Sequence, residues 1–554
     1  MDSRATELIR QGDQLFTSRS SLMSLWQEIA LNFYVIRADF TSKIIPGDDL
    51  ASHLSTSYPM LAHRDMTNAV STMLRRRGMH WFDIRTGRPD PDEGEALRFL
   101  EWATNLQYRA MYDRKTQFVR ATKEGDADFA AFGQTVIYTD TNRDATKMLY
   151  RNYHLRDVAW AENAEGVIDT VHRKWKPTAT DLIYDFKGKC HPAVYDYLRP
   201  GQDPYHRLEC RHVMVPAERL NGDYADQRDF PFRSYFIDVD NQHVMEDVPS
   251  RLLRYVIPRW QTVSGSPYAY SPATIAALPD ARLIQAMTYT LLDAAEKAVQ
   301  PPMIAQAHMI KSDMELWAGG TTWVDAEYDE RFGEALRPIP QDFNGLPVGM
   351  EMQSRAQGMI AEAFFLNKIA LPPADREMTA YETAQRIQEY VRQALPLFEP
   401  MEQEYNGAIC EMTFETLKLN KAFGNPRDMP QELDGADIEF KFISPLQERE
   451  ERQSAQVYLE TKALLAEAAA IDEGMIDMLD GRVALRDALR GAGAPANWLL
   501  DDDKMDEKAE ARAAMQQQAA LMDQMQRGGE VAEQLGKASK SLNDAGMDAE
   551  ALTP

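Results

Sequence analysis

The sequence predicts an α+β protein that is mainly helical. Apolar residues recur at helical spacing through residues 22–110 and again beyond residue 280. Between Gln134 and Trp260 the chain is instead rich in β-branched and aromatic residues, which suit strands. Connections in that stretch are too short for repeated helical crossovers, so a doubly wound sheet is disfavoured. Because 554 residues exceed what one core usually supports, we expect roughly two to four structural regions.

Periodic apolar residues predict three helices before Gly133. They cover residues 22–33, residues 60–74 and a stretch from about Asp92 to Ala110. The second helix ends at the run Arg75-Arg76-Arg77-Gly78. This triplet is typical of a solvated helix end, where cations also favour the helix dipole, and contact with phosphate is the alternative.

The sheet-forming stretch alternates in a way typical of antiparallel strands. Tyr235, Ile237 and Val239 alternate with more polar neighbours, and the segment 240–242 offers a turn before Val244. We expect an antiparallel sheet with one face exposed to water.

Two long helices separated by a small insert are predicted next. The first follows Pro279 and is stopped by Pro301-Pro302, and the second spans about Gly349 to Asn367. At about 1.5 Å per residue each would reach roughly 27–30 Å. The apolar stripes that predict them are Ile284, Met287, Leu291, Ala294 and Ala298, and Met352, Ala356, Met359 and Ala363. Segment 301–348, between them, is predicted to form strands and turns.

The remaining chain is predicted to add two helices and a strand. Thr379 and Glu382 form a capping box that begins a helix ending near Leu395. A second helix covers residues 399–423, and a strand covers residues 438–442. Segment 501–554 has 12 acidic and 6 basic residues and no aromatic residue, so we expect frayed helix or disorder there.

Composition and charge restrict the function. Lys plus Arg is 61 and Asp plus Glu is 86, so the formal net charge is 61 − 86 = −25. Tight DNA binding is disfavoured, because affinity for phosphate comes from cations that release counterions. Three widely spaced cysteines, no apolar signal peptide and no long apolar run predict a cytoplasmic protein outside the membrane.

Sequence motifs for common enzyme chemistry are absent. No phosphate-binding loop, H-E-x-x-H or G-x-S-x-G motif occurs, so we expect neither a catalytic residue nor a cofactor. One cluster of Cys190, His191, His206, Cys210 and His212 has ligand types that suit zinc, but its spacing does not. We therefore interpret these residues as surface histidines and half-buried cysteines and predict no metal site.

Several short stretches resemble one protein family. They are Trp81-Phe82, Pro258-Arg259-Trp260, Tyr270-Ser271-Pro272 followed by Ala277-Leu278-Pro279-Asp280, and Met378-Thr379-Ala380-Tyr381-Glu382 followed by Arg386 and Gln388-Glu389. The order of these stretches, together with the helix–insert–helix layout, resembles that of the head-to-tail connector, or portal protein, of short-tailed phages. The resemblance covers residues 5–500. By residue type alone, Glu382, Arg386 and Glu389 are better explained by salt bridges along a helix than by catalysis.

The resemblance implies a portal fold with a sheet-containing wing, a two-helix stem, a small clip and a helical crown. The corresponding segments are 1–272 for the wing, 273–300 and 349–368 for the stem helices, 301–348 for the clip, 369–377 for a channel loop, 378–445 for the return of the wing, 446–500 for the crown and 501–554 for the tail. Met287, Leu291, Met352 and Met359 would then contact neighbouring subunits.

The resemblance also implies a function and partners. It implies a dodecameric ring at one capsid vertex of the virion, assembled in the host cytoplasm, through which double-stranded DNA passes without sequence specificity. Partners would be the large terminase subunit, the major capsid and scaffolding proteins and tail adaptor proteins. Lys368, Arg376 and Glu377 beside the channel loop are candidates to face DNA. A cytoplasmic helical scaffold and a zinc-dependent enzyme are the alternatives.

Overall fold

The computed structural model describes most of the chain. The described residues are 2–75, 80–87, 94–142, 144–219, 230–305, 345–369, 401–424, 437–442, 457–466, 480–492 and 505–519, with short pieces between them. The chain divides into two units. The first comprises Met1–Ile84, Ala103–Asp428 and Glu439–Gln447, and the second comprises Arg85–Trp102, Met429–Ile438 and Glu448–Pro554.

Helix exceeds strand in the described residues, which confirms the predicted α+β, mainly helical class. The helices are α1 (Ser3–Ser18), α2 (Ser20–Phe33), α3 (Tyr58–Leu74), α4 (Gly94–Met111), α5 (Phe118–Phe132), α6 (Ala179–Phe186), α7 (Pro192–Asp196), α8 (Pro272–Val299), α9 (Gly345–Ala363), α10 (Leu366–Ile369), α11 (Ala408–Leu419) and α12 (Gly481–Gly491). No helix in the described part of the chain is long and apolar enough to cross a membrane.

Within the described residues the strands form five small sheets, and the pairs with a described register are antiparallel. The strands are β1 (Phe82–Thr86), β2 (Val136–Thr141), β3 (Met148–Tyr153), β4 (Val158–Glu162), β5 (Ile168–Trp175), β6 (Cys210–Pro216), β7 (Phe232–Asp238), β8 (His243–Ser250), β9 (Tyr255–Val256), β10 (Gln261–Thr262), β11 (Ala269–Tyr270), β12 (Met303–Ala305), β13 (Leu336–Pro338) and β14 (Ile438–Phe442). The largest sheet has the order β4-β5-β6-β7-β8, as expected for short connections.

Helices cover both faces of the five-stranded sheet, so the prediction of one wet face was wrong. Ala5 and Leu8 of α1 pack on Val213 and Ile237 on one face. On the other face, Leu182 and Val194 from α6 and α7 pack on Cys210 and Met245. The sequence pattern of the strands did not reveal α1, which precedes the predicted helices, or the helical insertion between β5 and β6.

Helix α5 lies at the centre of the first unit. Its last eight residues, 125–132, are all buried, including two aspartates. The Arg37 guanidinium donates to both carboxylate oxygens of Asp128, at 2.8 and 2.7 Å. Arg75 contacts Asp126 and donates to Asn406 Oδ1 at 2.6 Å. Both buried carboxylates are therefore paired, as burial of a charge requires.

The two long helices differ in their bounds from the prediction. Helix α8 begins at Pro272, seven residues before Pro279, because the Ser271 side chain caps its first turn and Pro272 suits the first helical position. Helix α9 begins at Gly345 and ends at Ala363. It stops early because Phe365 adopts φ 55, which breaks the helix before α10.

Other predicted elements are reproduced with small shifts. The turn at 240–242 and the strand Ile438–Phe442 are confirmed. The predicted helix 399–423 forms as a π-helical turn, Glu402–Gly407, followed by α11. In the predicted insert, β12 pairs with β13. The predicted helix from Thr379 to Leu395 lies outside the described residues.

We predict that Gly133→Ala strongly destabilises the protein. Gly133 ends α5 at φ +73, and a Cβ there would lie 2.1 Å from the Tyr270 backbone carbonyl carbon. Gly166 has a similar φ of +79 and open space around it, so Gly166→Ala is a matched control. The control should lose about 1–2 kcal/mol for the left-handed conformation. Gly133→Ala should lose about 1–3 kcal/mol more through the clash, measured by urea unfolding; equal losses would contradict this.

We also predict acid-sensitive stability from His63. Burial lowers the pKa of His63 to about 4, although its hydrogen bond to the Ala127 carbonyl and the nearby Asp128 act the other way. The unfolded chain therefore binds the extra proton first, and stability falls as pH drops from about 6.5 towards 4, by about 1.4 kcal/mol per pH unit for this group.

Urea unfolding of the wild-type protein and of His63→Gln at a series of pH values tests this. Glutamine keeps a donor for Ala127 but does not titrate, so its stability should fall less over the same window. Parallel pH curves for the two proteins would refute a role for His63.

Candidate subunit interface

Helices α8 and α9 form an antiparallel pair. Leu291 lies against Gly349, where an added Cβ would come within 2.7 Å of Leu291 Cδ2. The Gln353 side chain donates to Thr288 Oγ1 at 2.8 Å. Glycine therefore permits close approach of the helices, and the hydrogen bond adds a polar contact between them.

The pair is buried at one end only, against the rest of the first unit, which we call the body. The buried positions of α8 end at Ile284, and those of α9 are Ala356 and Ile360. Beyond them, residues 285–299 and 345–355 have no described buried side chain. We call these two segments the distal pair.

Large apolar side chains are exposed on the distal pair. On α8, Tyr289, Leu292 and Val299 are 72, 54 and 81% exposed and are spaced by three and seven residues, which places them on one stripe. On α9, Val348 and Met352 are also exposed and are spaced by four. Such contiguous apolar surface is typical of a protein–protein contact.

The four predicted subunit contacts occupy different environments. Met352 and Met359 are about half exposed and are available to a partner. Met287 is only partly exposed, and Leu291 packs against Gly349 of the same chain. The sequence period alone did not separate the inner face from the outer face of the pair.

The cations of the two helices all contact carboxylates. Arg282 pairs with Glu28 of α2 at 2.6 Å. Lys297 pairs with Asp293 at 2.6 Å, and Arg355 pairs with Glu351 at 2.7 Å, each one helical turn away. Each cation is partly exposed, so these pairs contribute little to stability, but they reduce the local attraction for phosphate.

The start of α8 is anchored to the end of α5. Ser271 Oγ donates to the Ala130 carbonyl and Thr274 Oγ1 to the Ala131 carbonyl, both at 2.7 Å. These carbonyls lie in the last turn of α5 and lack helical partners. The hydroxyl groups at the start of α8 thus donate to free carbonyls at the end of α5, and these hydrogen bonds fix the point where α8 begins.

A loop from the body holds α8 at Gln285. Gln285 Oε1 accepts from the backbone N–H groups of Ser55 and Thr56 at 2.8 and 3.1 Å. Gln285 Nε2 donates to the Thr56 carbonyl at 3.0 Å. Ser55 Oγ donates to the Gln285 carbonyl at 2.7 Å. We call these contacts the clasp; the sequence analysis missed them, because a polar residue between Ile284 and Met287 carries no local signal.

Aromatic residues hold the returning end of α9. The buried Phe364 ring packs on Phe33 of α2 at a centroid distance of 5.3 Å. Phe365 lies 6.5 Å from Trp260, which itself stacks on Phe129 of α5 at 5.5 Å. The chain is thus tied to the body on both sides of the distal pair.

The family-motif residues within the described chain are mainly structural. Trp81 donates from Nε1 to the Tyr112 hydroxyl at 3.0 Å, and the fully buried Phe82 packs edge-on against it. Arg259 contacts Glu162, and its backbone N–H donates to Glu404 Oε2 at 3.0 Å.

The other predicted site residues have these positions. Pro272 begins α8, and Pro279 and Asp280 lie within it, where partial burial raises the pKa of Asp280. Lys368 lies on α10, and its side chain is outside the description. Arg376, Glu377, Thr379, Glu382, Arg386 and Glu389 also lie outside the described residues.

The arginine triplet was misinterpreted at Arg75. This residue is neither a solvated helix end nor accessible to phosphate, because it is buried between Asp126 and Asn406 and lies 4.8 Å from the Tyr405 ring centroid. Its neighbours Arg76 and Arg77 lie outside the described residues.

The zinc cluster does not assemble. Cys190 and Cys210 lie in an apolar cluster, where burial raises the pKa of both thiols and disfavours the thiolate that binds metal. His212 is buried, contrary to the expected surface position, and hydrogen-bonds Tyr255 and Ser234. The described residues contain no group of three or more potential ligands arranged for a metal ion.

Comparison with known proteins identifies relatives of the whole chain. The model of a family described as bacteriophage head to tail connecting protein matches residues 5–500. A probable portal protein of Bordetella phage BPP-1 is 24% identical, over 98% of this chain and 97% of its own length. The portal protein of Salmonella phage epsilon15 is 20% identical, over 94% and 93%. A chain from the virion of a native gene transfer agent particle aligns at 11% identity over 80% of this chain and 95% of its own, with a TM-score of only 0.33.

Proposed function

Because the chain belongs to the bacteriophage head to tail connecting protein family, and so is a phage portal protein, we propose that its copies form a ring that conducts DNA. The ring stands at one capsid vertex, and double-stranded DNA passes through it during packaging and ejection. The predicted dodecamer, with α8 and α9 as the stem around the channel, is the arrangement we favour.

The exposed apolar surface of the distal pair is the observation that carries this proposal. A single chain leaves Tyr289, Leu292 and Met352 largely in water. Side-by-side packing of distal pairs in a ring would bury them, at about 25 cal/mol per Å² of apolar area. Each copy contacts the next copy through one surface and the previous copy through a different surface. Such contacts form a closed ring when the rotation between neighbours is a whole fraction of a full turn.

The net negative charge of the chain supports a channel that binds DNA only weakly. The chain carries a net charge of −25, and the cations of α8 and α9 are paired with carboxylates. Few counterions would be released on contact with a duplex, so DNA would bind weakly and could move. Lys368 and Arg376, with Glu377 beside them in the predicted channel loop, would supply transient contacts.

The proposed role is structural rather than enzymatic. A ring in the virion would dock the large terminase subunit during packaging, the major capsid and scaffolding proteins during assembly, and tail adaptor proteins afterwards. The zinc-enzyme alternative has no supporting observation, since the histidines and cysteines that suggested it have separate partners. A cytoplasmic scaffold differs from a portal because only the portal gives annular particles in electron microscopy.

We predict that a carboxylate on the distal pair prevents ring formation without unfolding the chain. Leu292 and Met352 are 54 and 49% exposed, so Leu292→Asp and Met352→Asp should leave the melting temperature of the monomer unchanged. In a ring each change would put a charge into an apolar contact, at a free-energy penalty of several kcal/mol per contact.

Sedimentation velocity gives the measurement, with Leu198→Asp as the control. Leu198 is 47% exposed and lies two residues after α7, in the helical insertion that packs on the five-stranded sheet. The control should form rings, and the two distal variants should sediment as monomers. Intact rings from both distal variants would show that the distal pair is not the subunit contact.

We further predict that Lys368→Ala combined with Arg376→Ala reduces DNA retention in filled heads. Removing two cations from the loop eliminates up to two phosphate contacts per subunit, and these contacts weaken with salt. The charge-matched control is Lys176→Ala combined with Lys189→Ala, which removes two exposed lysines paired with Glu209 and Glu246. Heads made with each variant are compared for DNA content over a range of salt, and equal retention would remove the role of the loop cations.

A further inference from the structure

We infer that the clasp of Ser55 and Thr56 on Gln285 fixes the orientation of the distal pair, so that Gln285 sets the direction in which the pair leaves the body. This inference deepens the proposed function, in which that direction determines how neighbouring pairs meet. It makes Gln285 a positioning residue for ring assembly, with no contact to DNA required.

The position of Gln285 is the first argument. It follows Ile284, the last buried residue of α8, and the fourteen residues after it lack burial in the body. At 1.5 Å per residue this part of α8 is a lever of about 21 Å, so a rotation of about 10° at Gln285 would move its end by about 4 Å. Small errors in direction at this point become large at the subunit contacts.

The completeness of the clasp is the second argument. One glutamine side chain uses both its oxygen and its nitrogen on a single dipeptide, and Ser55 Oγ bonds the Gln285 carbonyl in return. Bonds in several directions resist rotation of the helix as well as separation. A single surface hydrogen bond would resist only separation.

The base of the clasp is itself held in place. His53 bonds the Leu31 carbonyl near the end of α2 at 2.9 Å, and Thr56 Oγ1 accepts from the Tyr58 N–H at the start of α3. The ion pair Arg282–Glu28 links α8 to α2 one turn before Gln285. The loop therefore connects α8 to two helices of the body rather than to a free segment.

Spin-label distances in the full-length chain test the inference. Labels at Asn68→Cys on α3 and Glu296→Cys on α8 occupy exposed positions, and the native cysteines are buried. Labelled chains are diluted into an excess of unlabelled chains, so that only distances within one chain are measured. Gln353→Ala is the matched control, because it removes a glutamine that bonds within the helix pair and not to the body.

The wild-type chain and Gln353→Ala should give one narrow distance distribution. Gln285→Ala should broaden it by several Å, as the lever length implies, while near-ultraviolet circular dichroism stays unchanged. If Gln285→Ala does not fold, Ser55→Ala replaces it. This variant removes only the hydrogen bonds from Ser55 Oγ to the backbone carbonyl and to Oε1 of Gln285, at 2.7 and 2.9 Å, and should broaden the distribution less. A folded clasp variant with the wild-type distribution would overturn the inference.

Ring assembly is measured on the same proteins and separates the two proposals. Gln285→Ala should form fewer closed rings, or rings of mixed size, where the wild-type chain forms uniform ones. If no variant and not even the wild-type chain forms rings, the proposed function fails, whereas the distance distributions still decide the role of Gln285. Uniform rings from Gln285→Ala would overturn its role in assembly.

Discussion

The burial of α5 is the constraint on which the first unit depends. Its second half is enclosed on all sides, and it carries Asp126 and Asp128 into the interior. A buried carboxylate is tolerated only with a partner, so each aspartate requires an arginine at a defined place. Arg37 and Arg75 meet this requirement from segments that flank α3, which locks the N-terminal helices around α5.

This constraint extends from the core to the long helices. The last carbonyls of α5 accept hydrogen bonds from Ser271 and Thr274. Gly133 has no side chain and so allows the backbone of Tyr270, in the strand before α8, to come within contact distance. The direction of α8 at its start is therefore set by a helix that cannot move without exposing paired charges. The aromatic contact of Phe364 and the clasp at Gln285 then hold the parts of α8 and α9 that lie against the body.

The distal pair shows the opposite physical character. It leaves apolar side chains in water and pairs its cations internally, so that its free surface favours protein contacts over phosphate contacts. A helix pair with unburied apolar surface suits a protein whose copies bury that surface against one another. The same separation allows a chain with a net charge of −25 to keep an apolar surface that can bind protein.

The sequence by itself determined the fold class, about half of the described helices and the family, because periodicity and short motifs are local properties. It placed α2, α3 and the strand Ile438–Phe442 well, and Trp81-Phe82 and Arg259-Trp260 pointed to the family through their order along the chain. Only the tertiary structure decided that Arg75 is buried, that α1 covers the sheet and that Gln285 is clasped by a loop 230 residues away in sequence. The reason is physical: the partner of a polar side chain depends on which distant segments the fold brings within hydrogen-bond distance, and no local pattern records that choice.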